Sequence, residues 1–188
     1  MKKIKTIIVG EAGVGKTCIA VRFARNEYNE ATYATVGAAN LTHEMKTSKG
    51  PITFNIWDTA GQERYRSLTP MYFSNSQVAI LVFDITSKNS LEGLDNFYQL
   101  LQQKAPKDCA LVLVGNKSDI AGKRQVKPEE AQEYANKIGA LFYQETSAAT
   151  GEGINDLFEK IATCGSVTIK SEDTDYIDFS KRSRRGCC

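Results

Sequence analysis

Ile4-Lys5-Thr6-Ile7-Ile8-Val9-Gly10-Glu11-Ala12-Gly13-Val14-Gly15-Lys16-Thr17 is the stretch that decides the fold. It opens as a strand rich in β-branched residues. It then matches G-x-x-x-x-G-K-[ST] from Gly10 to Thr17 and runs into the helical pattern Thr17–Arg25. Glycines there let backbone N–H groups turn inward around phosphate, and the helix start adds its partial positive charge. Glu11, Ala12, Gly13, Val14, Gly15, Lys16, Thr17 and Cys18 are the expected phosphate-binding set. Lys16 would place a cation on the β and γ phosphates, and the Thr17 hydroxyl would ligate Mg²⁺, which takes oxygen ligands. A glycine-rich turn without a ligand is the bland alternative, and the strand-loop-helix context argues against it. The motif implies a nucleoside triphosphate without naming it, because kinases, ATPases and GTPases share this loop.

Beyond this unit, apolar runs alternate with amphipathic stretches. Ile52–Trp57, Val78–Phe83 and Ala110–Val114 read as strands, with Ala140–Tyr143 a shorter one. The runs at 78–83 and 110–114 are almost continuous in Val, Ile and Leu, as in parallel strands covered on both faces. Leu91, Leu94, Phe97, Tyr98 and Leu101 stripe one helix. Pro128 opens another, and Ile154, Leu157, Phe158 and Ile161 stripe the last. Leu41–Thr47, the turn Ser48-Lys49-Gly50-Pro51 and Ile52–Trp57 predict an antiparallel hairpin. The fold class is therefore α/β: a mostly parallel sheet with an antiparallel edge hairpin and helices on both faces.

The 188 residues suit one domain, and 24 basic against 22 acidic side chains give a net charge of +2, too little to advertise nucleic acid. With 41% hydrophobic residues the chain can bury a core. No apolar run is long enough for a membrane span, and MKKIKTIIVG is too short for a signal peptide. The single histidine, His43, excludes the usual zinc patterns and reads as a surface side chain. Cys18, Cys109 and Cys164 read as small buried thiols in a reducing setting. Periodicity stops near Gly165, so residues 1–164 are expected to form the domain and 165–188 a flexible tail. That tail is acidic at Glu172, Asp173, Asp175 and Asp178, basic at Lys181, Arg182, Arg184 and Arg185, and ends in Cys187-Cys188.

Asn116-Lys117-Ser118-Asp119 follows a strand, where ligands bind in an open α/β sheet. A carboxylate at Asp119 can accept two hydrogen bonds from the N1–H and 2-amino group of guanine, a donor pair that adenine lacks. Alone, such a sequence is equally an exposed polar turn; beside the phosphate loop it points to guanine.

With these motifs the chain resembles the small GTPases of the Ras superfamily. Trp57-Asp58-Thr59-Ala60-Gly61-Gln62-Glu63-Arg64-Tyr65 is similar to their switch II, and Glu145-Thr146-Ser147-Ala148 to their last base-binding motif. The double-cysteine end and the wording of switch II resemble the Rab branch. Gly37-Ala38-Ala39, Leu41-Thr42 and Ser67–Phe73 are most like its early-endosomal subgroup, over residues 3–163. The resemblance implies the small G-protein fold with a six-stranded sheet and a GTP/GDP switch using Mg²⁺. Thr35 would join the metal and the γ phosphate, Asp58 would hold a metal-bound water, and the Gly61 N–H would meet the γ phosphate. Gln62 would orient the attacking water, with slow intrinsic turnover raised about 10³–10⁵-fold by an activating protein. Lys16, Thr35, Gly61 and Gln62 form the expected catalytic group. Tyr28 would pack against guanine, although an ordinary loop tyrosine fits the same position. Asn116, Lys117, Asp119, Ser147, Ala148 and Ala149 complete the base site.

Three departures from the family pattern stand out. Ala12 occupies a phosphate-loop position where a side chain crowds the water, so slow hydrolysis is expected. Ala149 replaces a lysine that packs near the base. Asn40 stands where these proteins carry phenylalanine, in an aromatic triad with the positions of Trp57 and Tyr72 that effectors read. Trp57 is equally readable as a core residue. Cys187 and Cys188 resemble the signal for two geranylgeranyl groups added with an escort protein, and two chains are what stable anchoring takes. The implied partners are an exchange factor, an activating protein, a GDP-dissociation inhibitor and effectors, around a monomeric core. The implied location is the cytoplasmic face of endosomes or other transport vesicles, with a cytosolic pool. Two other functions are compatible with the phosphate loop alone. A P-loop kinase would need an arginine-rich lid, which Gly61-Gln62-Glu63 is not. A non-catalytic scaffold is disfavoured by the presence of Lys16, Thr17, Thr35 and Gln62.

Overall fold

A computed structural model describes residues 2–29, 38–59, 72–167 and 170–171. The strands are β1 (Lys2–Val9), β2 (Ala38–Thr47), β3 (Gly50–Thr59), β4 (Val78–Asp84), β5 (Ala110–Asn116), β6 (Tyr143–Thr146) and β7 (Lys170–Ser171). The helices are α1 (Lys16–Arg25), α2 (Lys88–Glu92), α3 (Leu94–Lys104), α4 (Pro128–Ile138) and α5 (Ile154–Thr163). The sheet order is β2-β3-β1-β4-β5-β6. Only the β2–β3 pair along this path is antiparallel, the expected edge hairpin. Every residue of β4 is buried, as its unbroken apolar run requires in a central strand.

Each face of the sheet has its own apolar layer. Phe23 of α1 stacks on Phe158 of α5 at 3.6 Å between ring centroids, and both meet Phe54 of β3 edge-on. Ile154, Leu157 and Ile161 complete this side. On the other, Leu94, Phe97 and Leu101 of α3 and Ala131, Ala135 and Ile138 of α4 cover Leu81, Phe83 and Leu113. The parallel strands therefore end together at one edge, which carries Val9, Asp84, Asn116 and Thr146.

Four local expectations shift. The stripe from Leu91 to Leu101 falls on two helices that meet at Gly93, which keeps helical backbone. A Cβ at Gly93 would lie 2.7 Å from a Glu11 carboxylate oxygen, so the missing side chain makes room for the phosphate loop. The last strand begins at Tyr143, not Ala140, because Gly139 ends α4 in a left-handed cap and the next residues bridge across to β5. His43 is half-buried, edge-on to Phe23 at 4.6 Å with Nδ1 3.2 Å from the Ala24 carbonyl, rather than a surface side chain. Beyond the expected boundary at 165, Val167 is buried against the core, and Lys170 and Ser171 pair with Lys3 and Lys2. That pairing is possible because β4 joins β1 only from Thr6 onward, leaving the start of β1 open on that side.

Candidate functional site: a nucleotide cradle at the strand ends

The loop after β1 curls because Gly10, Gly13 and Gly15 adopt φ of 149°, 78° and 97°, a region that side chains avoid. At Gly15 space also forbids one: a Cβ would lie 2.2 Å from the Asn116 amide nitrogen. Glycine there lets Asn116 reach across, and its Nδ2 donates to the Val14 carbonyl at 2.9 Å. Asn116 is only 2% exposed, and its Oδ1 accepts from the Ala148 N–H at 3.2 Å and the Thr146 hydroxyl at 3.3 Å. One amide thus ties the phosphate loop, β5 and the loop after β6 together.

Lys16 opens α1 and turns back to donate from Nζ to the Glu11 carbonyl at 2.8 Å. Burial pushes its ammonium down to about 8, opposed by the charges of Asp58 and Glu11. A polyanion seated on the loop would favour its charged form. The Thr17 hydroxyl donates to Asp58 Oδ2 at 2.6 Å across to β3, and Asp58 is fully buried. A hydroxyl and a carboxylate adjoining a lysine are a hard-oxygen set fitting Mg²⁺ that also binds phosphate.

The other end of the cradle is built by left-handed backbone at Lys117, φ 70°. This turn brings Lys117 Nζ to Asp84 Oδ2 at 2.7 Å and leaves Asp119 exposed. The Ser147 hydroxyl donates to Asp119 Oδ1 at 2.5 Å, which fixes the orientation of the carboxylate. Burial pushes the Asp84 carboxyl up, but hydrogen bonds from Lys117 and Thr86 outweigh it and hold the group below the ordinary value. Behind the last loop, Arg124 makes a two-pronged pair with Glu145 at 2.7 Å on each oxygen, with Tyr143 donating at 2.8 Å.

A family model described as "Ras: Ras family" matches residues 5–165. Among relatives, ras-related Rab-5B of Dictyostelium discoideum is 45% identical over 160 residues, which are 85% of this chain and 74% of that protein. Ras-related Rab-5A of the same organism is 42% identical over 160 residues, 85% of this chain and 79% of its own. The chain belongs to the Ras family, in its Rab branch. It is accordingly a guanine-nucleotide-binding GTPase that hydrolyses GTP to GDP.

Most of the residues read from the motifs converge in this Rab GTPase. Glu11 to Cys18 form the loop and helix start, Asp58 closes on Thr17, and Asn116, Lys117, Asp119, Ser147, Ala148 and Ala149 surround the far end. Tyr28, 41% exposed, lies beside them under the Arg22 guanidinium at 5.8 Å. Thr35, Gly61, Gln62, Cys187 and Cys188 lie outside the described residues. Asp84 carries no motif in the sequence, whereas Thr146 lies in the Glu145–Ala148 motif. Asp84 ends β4 directly opposite Asn116, so a polar residue closing an apolar strand was the available signal. The three remaining thiols among the described residues are half-buried, and burial pushes Cys109 up to about 12.

Asn40, Trp57 and Tyr72 also come together. Asn40 and Trp57 are directly paired across β2 and β3, and Trp57 lies 5.2 Å from Tyr72 between ring centroids. Trp57 is half-buried against the α3–α4 layer with Lys5 Nζ 5.3 Å over its ring, so it is partly core and partly surface. Asn40 is exposed and donates to Asn55 Oδ1 at 2.6 Å. Where an aromatic would add to the cluster, it extends a polar pair. No helix among the described residues is long and apolar enough to cross a membrane.

Proposed function

We propose that this Rab GTPase is a membrane-anchored GTP/GDP switch that recruits effectors to endosomal or related transport membranes. The observation that carries the nucleotide half is the Asn116 amide, which spans the phosphate loop and the base loop in one buried side chain. Residues 1–164 would act as the nucleotide-binding domain, with Val167 and the Lys170–Ser171 pairing added to it, and the remainder of 165–188 as the tail carrying the anchor. Thr17 would hold Mg²⁺ together with Thr35, and Asp58 would hold it through water. When bound, the metal would neutralise charge on the β and γ phosphates. Lys16 and the backbone N–H groups of Gly13 to Thr17 would bind and orient the triphosphate, Asp119 would select guanine, and Tyr28 would cover it.

For hydrolysis, Gln62 orients water rather than abstracting its proton, and Ala12 restricts the space beside it. Intrinsic turnover is therefore slow, and an activating protein supplies the missing charge stabilisation. Thr35 and the Gly61 N–H would read the γ phosphate, which would make their contacts specific to the GTP-bound state. Cys187 and Cys188 would carry the two lipid chains, with Lys181, Arg182, Arg184 and Arg185 adding attraction to anionic headgroups. Support for the endosomal assignment comes from the similarity to two Rab-5 proteins.

The test has three arms. Single-turnover GTP hydrolysis is compared with Gln62→Leu; equal rates would replace the switch with a fixed scaffold. Deletion of Cys187 and Cys188 should leave the protein cytosolic, and persistent membrane association would reveal another anchor. Pull-downs with a GTP analogue or GDP, for wild type and Asn40→Phe, report the effector face. Early-endosomal tethers retained only by Asn40→Phe would mean that this face serves other partners.

A further inference from the structure

Arg22 lies on α1, the helix that opens with Lys16 and Thr17, yet its guanidinium is spent on the opposite end of the nucleotide cradle. Nε donates to the Ala148 carbonyl at 2.8 Å and Nη2 to the Ala149 carbonyl at 2.7 Å. Nη1 donates to the Asn26 carbonyl at 3.1 Å, which ties the same fork to the end of its own helix. The guanidinium carbon stands 5.8 Å from the centre of the Tyr28 ring. Below it Gly151 leaves clearance, since a Cβ there would come only to 3.7 Å from Arg22 Cδ.

A planar fork with several fixed donors can hold two successive carbonyls at once, which a single ammonium on a flexible stem cannot. Both carbonyls belong to the loop that begins at Ser147. The Ser147 hydroxyl is the group that fixes Asp119, and the Ala148 N–H is bound by Asn116. Ala149 contributes no polar side chain, so Arg22 reaches this loop through its backbone. Hydrogen bonds therefore tie α1 to the Ala148 and Ala149 carbonyls, the peptide backbone carries that tie to Ser147, and the Ser147 hydroxyl carries it to the Asp119 carboxylate.

We propose that Arg22 is a positioning residue for base recognition: it clamps the Ser147–Ala149 loop to the phosphate-binding helix and so holds Asp119 in the orientation that reads the 2-amino edge of guanine. This rests on the reading of Asp119 as the base-selecting carboxylate. Arg22 touches no part of the base. It acts by making the phosphate end and the base end of the cradle one rigid piece, with Tyr28 held beside it.

The experiment uses the full chain and measures dissociation of GDP and of inosine diphosphate, which lacks the 2-amino group, at fixed Mg²⁺. Wild type, Arg22→Met, Arg22→Lys and Asp119→Asn are compared, with a thermal melt of each. Wild type should release the inosine nucleotide about 10-fold or more faster than GDP, the loss of one hydrogen bond to a charged acceptor. In Arg22→Met, GDP release should speed up about 10-fold and the ratio between the two nucleotides should fall at least threefold. Arg22→Lys should lose the ratio as well, because it keeps the charge without the fork; it also carries the test if the methionine variant does not fold. Equal acceleration of both nucleotides, with the ratio kept, would overturn the clamp and leave Arg22 a stabilising residue only. A wild type that releases both nucleotides alike, with Asp119→Asn unchanged, would instead remove the base reading and the proposal with it.

Discussion

Replacing Asn116 by alanine tests whether one buried amide unites the two halves of the cradle. In the folded protein its Nδ2 serves the Val14 carbonyl, and its Oδ1 serves the Ala148 N–H and the Thr146 hydroxyl. Val14, Ala148 and Thr146 are all buried, so alanine leaves the first two backbone groups without the partners that replaced water. A buried polar group left unsatisfied costs roughly 1–3 kcal/mol, so two such groups come to about 4 kcal/mol. The nucleotide demands both loops in their ordered positions, so most of the loss falls on the bound state. At about 1.4 kcal/mol per decade, GDP should leave some 10²–10³ times faster. The assay is release of a fluorescent GDP into excess unlabelled GDP, with Asn136→Ala, an exposed position on α4, as the control. A release rate within about fivefold of wild type, with the melting temperature unchanged, would refute the cross-brace; the fold estimate follows from the same conversion.

Gly15→Ala places a methyl 2.2 Å from Asn116 Nδ2 at a φ of 97°, so it should displace the same amide and abolish nucleotide retention on gel filtration. Retention at the wild-type level would mean that the loop accepts another path. Asp84→Asn tests pH linkage. The Asp84 carboxyl binds its proton less readily in the fold than in the unfolded chain. The stability it contributes is thus complete above the ordinary carboxylate range and disappears as pH falls through the lower folded value. The urea midpoint of the variant should lie below wild type at pH 7 and approach it near pH 3; a constant gap would contradict the Lys117–Asp84 assignment. Phe158→Ala removes a ring stacked 3.6 Å from Phe23 and should cost about 3–5 kcal/mol in urea unfolding, against under 1 if that layer were loosely packed.

The motif-bearing loops were legible in the sequence because each is local: a strand, a few residues of defined type, then a helix or turn. Gly10 to Thr17 and Asn116 to Asp119 are of that kind. Residues that matter through distant contacts left weaker marks. Asp84 gains its importance from Lys117, which reaches it only through left-handed backbone at φ 70°. Arg22 reads as one more basic residue on an amphipathic helix until the loop at Ala148 folds over it. The start of β6 is not legible from composition, because Leu141 and Phe142 have strand composition but serve as a bridge whose hydrogen bonds to β5 precede the paired register. His43 looked solvated in a hairpin, yet the edge strand turns that position inward onto Phe23. The expected family triad was half legible, since Trp57 and Tyr72 meet while Asn40 takes a polar partner.

The short pairing of Lys170 and Ser171 with the start of β1 has a mechanical meaning. β1 begins there and ends at the phosphate loop, so the two lie at opposite ends of one strand, about 26 Å apart at the usual rise. A lipid anchor at the terminal cysteines would therefore pull on the pole away from the nucleotide. The chain from Ser171 to Cys187 can extend at most roughly 55 Å. Anchored in that way, the domain would stand on a stretch of chain whose greatest reach is about twice the length of β1. Its nucleotide-reading pole would sweep the cytosol rather than press on the bilayer, and partners would meet it at a height set by that reach.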